Sequence, residues 1–179
     1  VEGLEANGVE INGGVISLRA YNDGINACDN SATGTTPYIS ISDGSITSNA
    51  DGDGIDSNGD LTVSGGEIYV SGPTSDSDSA LDYDSTATVT GGTVVAAGYS
   101  GMAQNFGTDS IQGSILLTCQ SASTEAIRVT DASGSVLAEF APAKAYSCVI
   151  VSTPALKQGG TYTVTMGGQS TVSYTHLTL

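Results

Sequence analysis

Residues 49–60 read NADGDGIDSNGD. Four carboxylates fall within twelve positions, interleaved with Gly and Asn, so the stretch is either a dedicated metal loop or one turn of something repeated. Its centre, Gly54-Ile55-Asp56, returns as Gly3-Leu4-Glu5, Gly24-Ile25-Asn26, Ala80-Leu81-Asp82 and, in weaker form, Gly101-Met102-Ala103, at steps of 21, 30, 26 and 21 residues. A second pattern recurs as INGGVI, ISDGSI, VSGGEI and VTGGTV around Gly14, Gly44, Gly66 and Gly92, and Gly113 keeps its downstream half. Those steps are 30, 22, 26 and 21. Two markers that stay in phase over five units imply one structural turn per unit.

A basic length near 21 suits a parallel β-helix coil of three short strands and three bends, whereas helical repeats are longer. Val9, Ile11, Val15, Ile16, Leu18 and Ile25 are apolar among mostly polar neighbours, a period of two rather than 3.6. The expected fold is therefore all-β, a parallel β-helix of about five coils, with Leu4, Ile25, Ile55, Leu81 and Met102 stacked inside. At ~4.8 Å between strands, five coils make a stub roughly 24 Å long. The longer steps mark insertions at Cys28–Tyr38 and Ser71–Ser79, both loop-like in composition. After Gly113 the pattern changes to SILLTC, AIRVTD, SVLAEF, YSCVIV and TYTVTM, separated by turns such as DASG and KQGG. The expected organisation is a repeat region over 1–113, a C-terminal antiparallel β cap over 114–172 that blocks edge pairing, and a tail over 173–179. His176, the single histidine, falls in that tail and is assigned no chemistry.

The net charge of −15 is unevenly placed. Residues 1–113 hold sixteen Asp and Glu against Arg19 alone, while 114–179 balance three acids with Arg128, Lys144 and Lys157. A surface this acidic repels nucleic acid phosphates and anionic lipid, and no apolar run approaches the roughly 20 residues of a membrane span. Cations are its natural partners. Cys28, Cys119 and Cys148 lack the close pairing of a disulfide framework or zinc site, and Cys119 and Cys148, in apolar strand-like runs, read as buried free thiols.

Aligned coils bring Glu5, Asn26, Asp56 and Asp82 into one column and Glu2, Asp23 and Asp53 into another. Like charges facing one another across strands are unfavourable. At an effective dielectric of 20, two charges ~4.8 Å apart repel by roughly 3 kcal/mol. A partly shielded ladder calls for a cation, and carboxylate, amide and carbonyl oxygens suit Ca²⁺. The candidate ligands are Asp23, Asn26, Asp51, Asp53, Asp56 and Asp82; a solvated acidic face is the alternative. An EF-hand loop starting at Asp56 places Leu61 where Gly is required, between strands rather than helices. An RTX roll needs a nine-residue period that the chain lacks.

The segments VEGLEANGVEINGGVISLRAYNDGINA, DGDGIDSNGDLTVSGGEI and FAPAKAYSCVIVSTPALKQGGTYTV resemble the bacterial carbohydrate-binding family of pectate-lyase-like β-helices, whose founding function is cellulose and pectin binding. The likeness runs to about Gly168. It implies a secreted or surface-attached bacterial protein with a right-handed parallel β-helix and bound calcium, which binds plant polysaccharide without established catalysis. The family's calcium-bearing DGI[DN] motif falls on Asp23 and Asn26 and on Asp53 and Asp56. At Ala80-Leu81-Asp82 the leading acid is replaced by Ser79. Members carry further coils before the EGIE-like segment, so the chain reads as a C-terminal part of a longer protein.

Three functions are weighed. In a monomeric carbohydrate-binding module, calcium bridges the acidic face to galacturonate carboxylates, and Arg19, Tyr21, Tyr69 and Tyr83 are the candidate sugar contacts. Neutral glucan needs aromatic faces, and these tyrosines do not share one column. A polysaccharide lyase needs a base beside calcium, for which Arg19 is the candidate in the coils and an ion-pairing role the plainer reading. An acidic solenoid also serves as a surface stalk. Paired carboxylates leave hydrolase chemistry formally open.

Overall fold

The computed structural model describes residues 1–29, 34–167 and 169–174. Two parallel ladders wind together. The short one joins β1 (Leu4–Ala6), β3 (Ile25–Ala27), β5 (Ile55–Ser57) and β7 (Leu81–Tyr83). The long one joins β2 (Gly8–Ala20), β4 (Tyr38–Ala50), β6 (Asp60–Ser71) and β8 (Ala87–Gly98). Each long strand folds at its repeated glycine, where Gly14, Gly44, Gly66 and Gly92 take φ of 91°, 115°, 85° and 80°. Only a residue without Cβ adopts this region freely. The bend splits each long strand into two flat segments, which with the short strand give the expected three sides.

Leu4, Ile25, Ile55 and Leu81 are Cα partners along the short ladder, so the apolar column is in register. Ile11, Ile41, Val63 and Val89 form a second row and Ile16, Ile46, Ile68 and Val94 a third. Their convergence makes the solenoid core. Each fully buried aliphatic side chain contributes about 2 kcal/mol to it.

The winding makes about three turns, not five. Gly3, Gly24 and Gly54 leave room for the next coil: a Cβ on each would lie 2.5 Å from the carbonyl oxygen of Gly24, Gly54 and Ala80 respectively. Ala80, at the equivalent position of the last turn, carries a methyl instead, and among the described residues no strand follows β7 in the short ladder. Met102, expected in the core column, is 49% exposed in a turn. Phe106 plugs the core in its place at 7% exposure. Residues 107–112 then cover the first half of β8 without forming a strand: Gly107 N–H donates to Ala87 O, Gln112 N–H to Val89 O, and Val89 N–H to Ser110 Oγ.

The second half of β8 is covered by β12 (Tyr146–Ser152), antiparallel to it, with β9 (Ser114–Ser123) outside β12. β12 is apolar on both faces because both are buried. Cys148 and Ile150 enter the solenoid core, while Val149 and Val151 enter a second core. That second core is closed by an antiparallel sheet in the order β11 (Val136–Phe140), β10 (Ile127–Asp131), β13 (Tyr162–Met166), β14 (Gln169–Tyr174). β14 pairs Ser173 with Thr163 and Tyr174 with Tyr162, reaching into the stretch read as a tail. His176 lies outside the described residues. Cys119 and Cys148 are free thiols, and burial pushes that of Cys148 up to about 12.

Candidate acidic site

The short ladder aligns Glu5, Asn26, Asp56 and Asp82 as Cα partners. Ile25 and Ala27 point to the core, so Asn26 points the opposite way, yet it is only 9% exposed. One position before each repeated glycine lies the other acidic row, and it has a backbone task. Asp23 Oδ1 accepts the N–H of Asp53 at 2.9 Å, and Asp53 Oδ1 accepts the N–H of Ser79 at 2.5 Å. Each carboxylate thereby ties its own turn to the next. Glu2 is held instead by the Asn22 side-chain amide at 2.9 Å, which draws its carboxyl below the usual range.

The arrangement leaves acceptors without donors. Asn26 Nδ2 donates to Asp23 Oδ2 at 3.3 Å, which fixes the amide and turns its oxygen away. That Asn26 Oδ1 is buried and has no hydrogen-bond partner. An orphaned buried acceptor costs about 1–3 kcal/mol. Its ladder neighbour Asp56 accepts no hydrogen bond from the described residues either. Asp82 is better served, because Oδ1 takes the Tyr83 N–H at 2.9 Å and Gln104 Nε2 at 2.5 Å.

Burial, reinforced by Asp82, Asp23 and Asp78, raises Asp53 to about 7 against the Ser79 N–H, which pulls the other way. Burial together with the charges of Asp53, Asp23, Asp82 and Asp84 raises Asp56 to about 7 as well. Asp23 is raised too, chiefly by burial. Near neutral pH Asp53 and Asp56 are thus poised between protonated and charged forms. Amide and carboxylate oxygens are the hard, oxygen-only set that Ca²⁺ takes. Among the described residues no three His, Cys, Asp or Glu side chains converge in a group that could hold a metal ion.

Of the residues expected to hold metal, Asp23, Asn26, Asp53, Asp56 and Asp82 share this one side. Asp51 does not join them: it is exposed and paired with Lys144 Nζ of the cap at 3.0 Å. Asp78 adds its charge to the cluster from the Ser71–Ser79 insertion, where Ser75 and Ser77 hydroxyls bind its Oδ2 at 2.9 Å. Its Ser-rich context gave no periodic signal. Gln104 falls one place beyond the weak fifth repeat and is invisible to a pattern that ends at Ala103.

The expected sugar contacts are scattered. Arg19 is exposed on the second half of β2 and makes no ion pair among the described residues. Tyr21 follows it, 77% exposed. Tyr69 leaves the solenoid as expected but meets the cap, its ring centroid 5.3 Å from that of Phe140. Tyr83 is half-buried, and its hydroxyl donates to Asn105 O at 2.8 Å.

Comparison with known proteins gives one match: a family described as carbohydrate-binding domain-containing protein, over residues 2–132. The matched span takes in both parallel ladders, β9 and β10. No curated protein and no solved structure matches the chain.

Proposed function

The chain belongs to the carbohydrate-binding domain-containing protein family, and from that premise we propose a non-catalytic module that binds plant cell-wall polysaccharide, cellulose or pectin, with the help of calcium. In this reading the protein is monomeric, bacterial, and secreted or displayed at the cell surface. Asn26, Asp53 and Asp56 hold the ion, with Asp23 and Asp82 beside them. Bound there, Ca²⁺ supplies positive charge that neutralises the acidic ladder and draws in galacturonate carboxylates. The chain's own residues orient the site: Asp23 fixes the Asn26 amide, and the coil-to-coil hydrogen bonds of Asp23 and Asp53 hold the ligands on a rigid ladder. Exposed Arg19 and Tyr21 are the open sugar contacts among those expected from sequence, since Tyr69 and Tyr83 are engaged within the protein.

The observation that carries the calcium assignment is the buried Asn26 Oδ1 with no hydrogen-bond partner among the described residues, beside the half-buried Asp56 carboxylate. Such a pair persists in a folded protein when something else satisfies it. Affinity electrophoresis and calorimetry on polygalacturonate and on cellulose, each with calcium or chelator, test the reading. Retention on polygalacturonate is expected to fall at least about tenfold in chelator, a change of roughly 1.4 kcal/mol. Equal retention in both buffers removes calcium from the proposal. The same incubations are expected to yield no unsaturated uronides; their steady release makes the protein a lyase instead.

A further inference from the structure

The first half of each long strand forms a side of the solenoid distinct from the acidic ladder, and Tyr38 lies across it. Its outward row pairs Gly8 with Tyr38 and Tyr38 with Asp60. A Cβ on Gly8 would lie 2.5 Å from Tyr38 Cε1 and 2.7 Å from Cζ, so the phenol end of the ring rests directly over the Gly8 backbone. The Tyr38 hydroxyl donates to Glu10 Oε1 on the same neighbouring strand at 2.8 Å. The ring is therefore pinned at both face and tip while 37% of the residue stays exposed. An aromatic ring held flat with its outer face open is pre-organised to stack on an apolar surface, because little side-chain entropy remains to be lost.

The surroundings select the ligand. The next outward row runs Glu10, Ser40, Thr62 and Thr88 in register across four strands. Thr86 donates to Asp60 Oδ1 at 2.7 Å at the far end of the Tyr38 row. Carboxylates and hydroxyls are present and no Lys or Arg lies in these strand segments. A uronate is repelled here. A neutral pyranose, with an apolar C–H face and a rim of hydroxyls, is not.

We infer that Tyr38, with Glu10, forms a stacking platform for a neutral β-linked polysaccharide of the glucan or xylan class, on a side of the solenoid separate from the acidic ladder and independent of calcium. The inference rests on the carbohydrate-binding reading and leaves the calcium assignment aside. The sugar's C–H face covers the ring, and exposed Glu10 accepts a ligand hydroxyl. Sequence patterning missed the residue because Tyr38 closes the insertion that begins at Cys28, and it opens β4 instead.

The test titrates the full chain with cellohexaose and xylohexaose in chelator, beside polygalacturonate in calcium. Tyr38→Ala is expected to weaken neutral-sugar binding by at least about tenfold and Tyr38→Phe, which keeps the ring but not its tether, by about threefold. The chain has no tryptophan, so Tyr38→Trp introduces a sole reporter whose emission is expected to shift and saturate on adding cellohexaose. Polygalacturonate binding in calcium is expected to be unchanged in Tyr38→Ala, which also shows that the variant is folded. Neutral-sugar binding by Tyr38→Ala at wild-type strength overturns the platform and leaves the family reading intact. No binding of either sugar class by the wild type overturns both.

Discussion

Gly54→Ala is expected to lower unfolding stability by about 3 kcal/mol, a large share of the 5–15 kcal/mol typical of a domain. The added methyl points at the Ala80 carbonyl oxygen 2.5 Å away and into Val70 Cγ1. Neither neighbour has room to retreat. The carbonyl is fixed by the Ile55 N–H that it accepts at 3.2 Å, and Val70 is fully buried. Gly54 has no positive φ, so the penalty comes from lost space between turns rather than backbone conformation. Ala80→Gly, at the equivalent position of the last turn, is expected to change stability by less than about 1 kcal/mol. Urea unfolding of both variants gives the comparison. A Gly54→Ala midpoint equal to wild type contradicts the close approach of the coils.

The second large effect reverses sign with calcium. The folded state raises Asp53 and Asp56 to about 7 from an ordinary 3.8, so between pH 4 and 7 the folded protein binds more protons than the unfolded chain. Their contribution to stability is complete below about pH 4 and is lost as pH rises through 7. In chelator the melting temperature is therefore expected to fall between pH 5 and pH 8. Glu2 and Asp131, both lowered, act in the opposite direction but at more acidic pH, outside this window.

Asp56→Asn removes a half-buried charge crowded by Asp53, Asp23, Asp82 and Asp84, and at pH 8 in chelator it is expected to stabilise the protein by about 1 kcal/mol once solvent screening is allowed for. The same substitution is expected to flatten the pH dependence and weaken calcium binding at least about tenfold, because ligand charge sets affinity at such sites. Wild type at 100 times its calcium Kd is expected to gain about 2.7 kcal/mol, of which a tenfold-weakened Asp56→Asn keeps about 1.4 kcal/mol. Thermal melts across pH, with and without calcium, show both halves. An Asp56→Asn protein that is destabilised in chelator and still answers to calcium in full refutes the assignment.

The winding was legible because it repeats: an apolar residue at each of Leu4, Ile25, Ile55 and Leu81 and a glycine at each bend leave a periodic trace. The end of the winding was not legible from similarity, since Ala80-Leu81-Asp82 and Gly101-Met102-Ala103 both match the pattern although the short ladder ends at β7. Met102 matched the pattern by type, yet Phe106 fills the core because a terminal plug needs volume rather than phase. The acidic column followed from the same periodicity. Asp78, Gln104 and the pairing of Asp51 with Lys144 come from loops and the cap, whose approach to the ladder has no counterpart in chain spacing.

β12 belongs to two interiors at once, lending alternate side chains to each. A repeat array ordinarily frays from one end, turn by turn, because every unit touches only its neighbours. Here the terminal unit is welded to a differently built partner, so loosening either strips cover from the other. The expected signature is one sharp calorimetric peak, with amide exchange slowest along β8 and β12 rather than midway along the array.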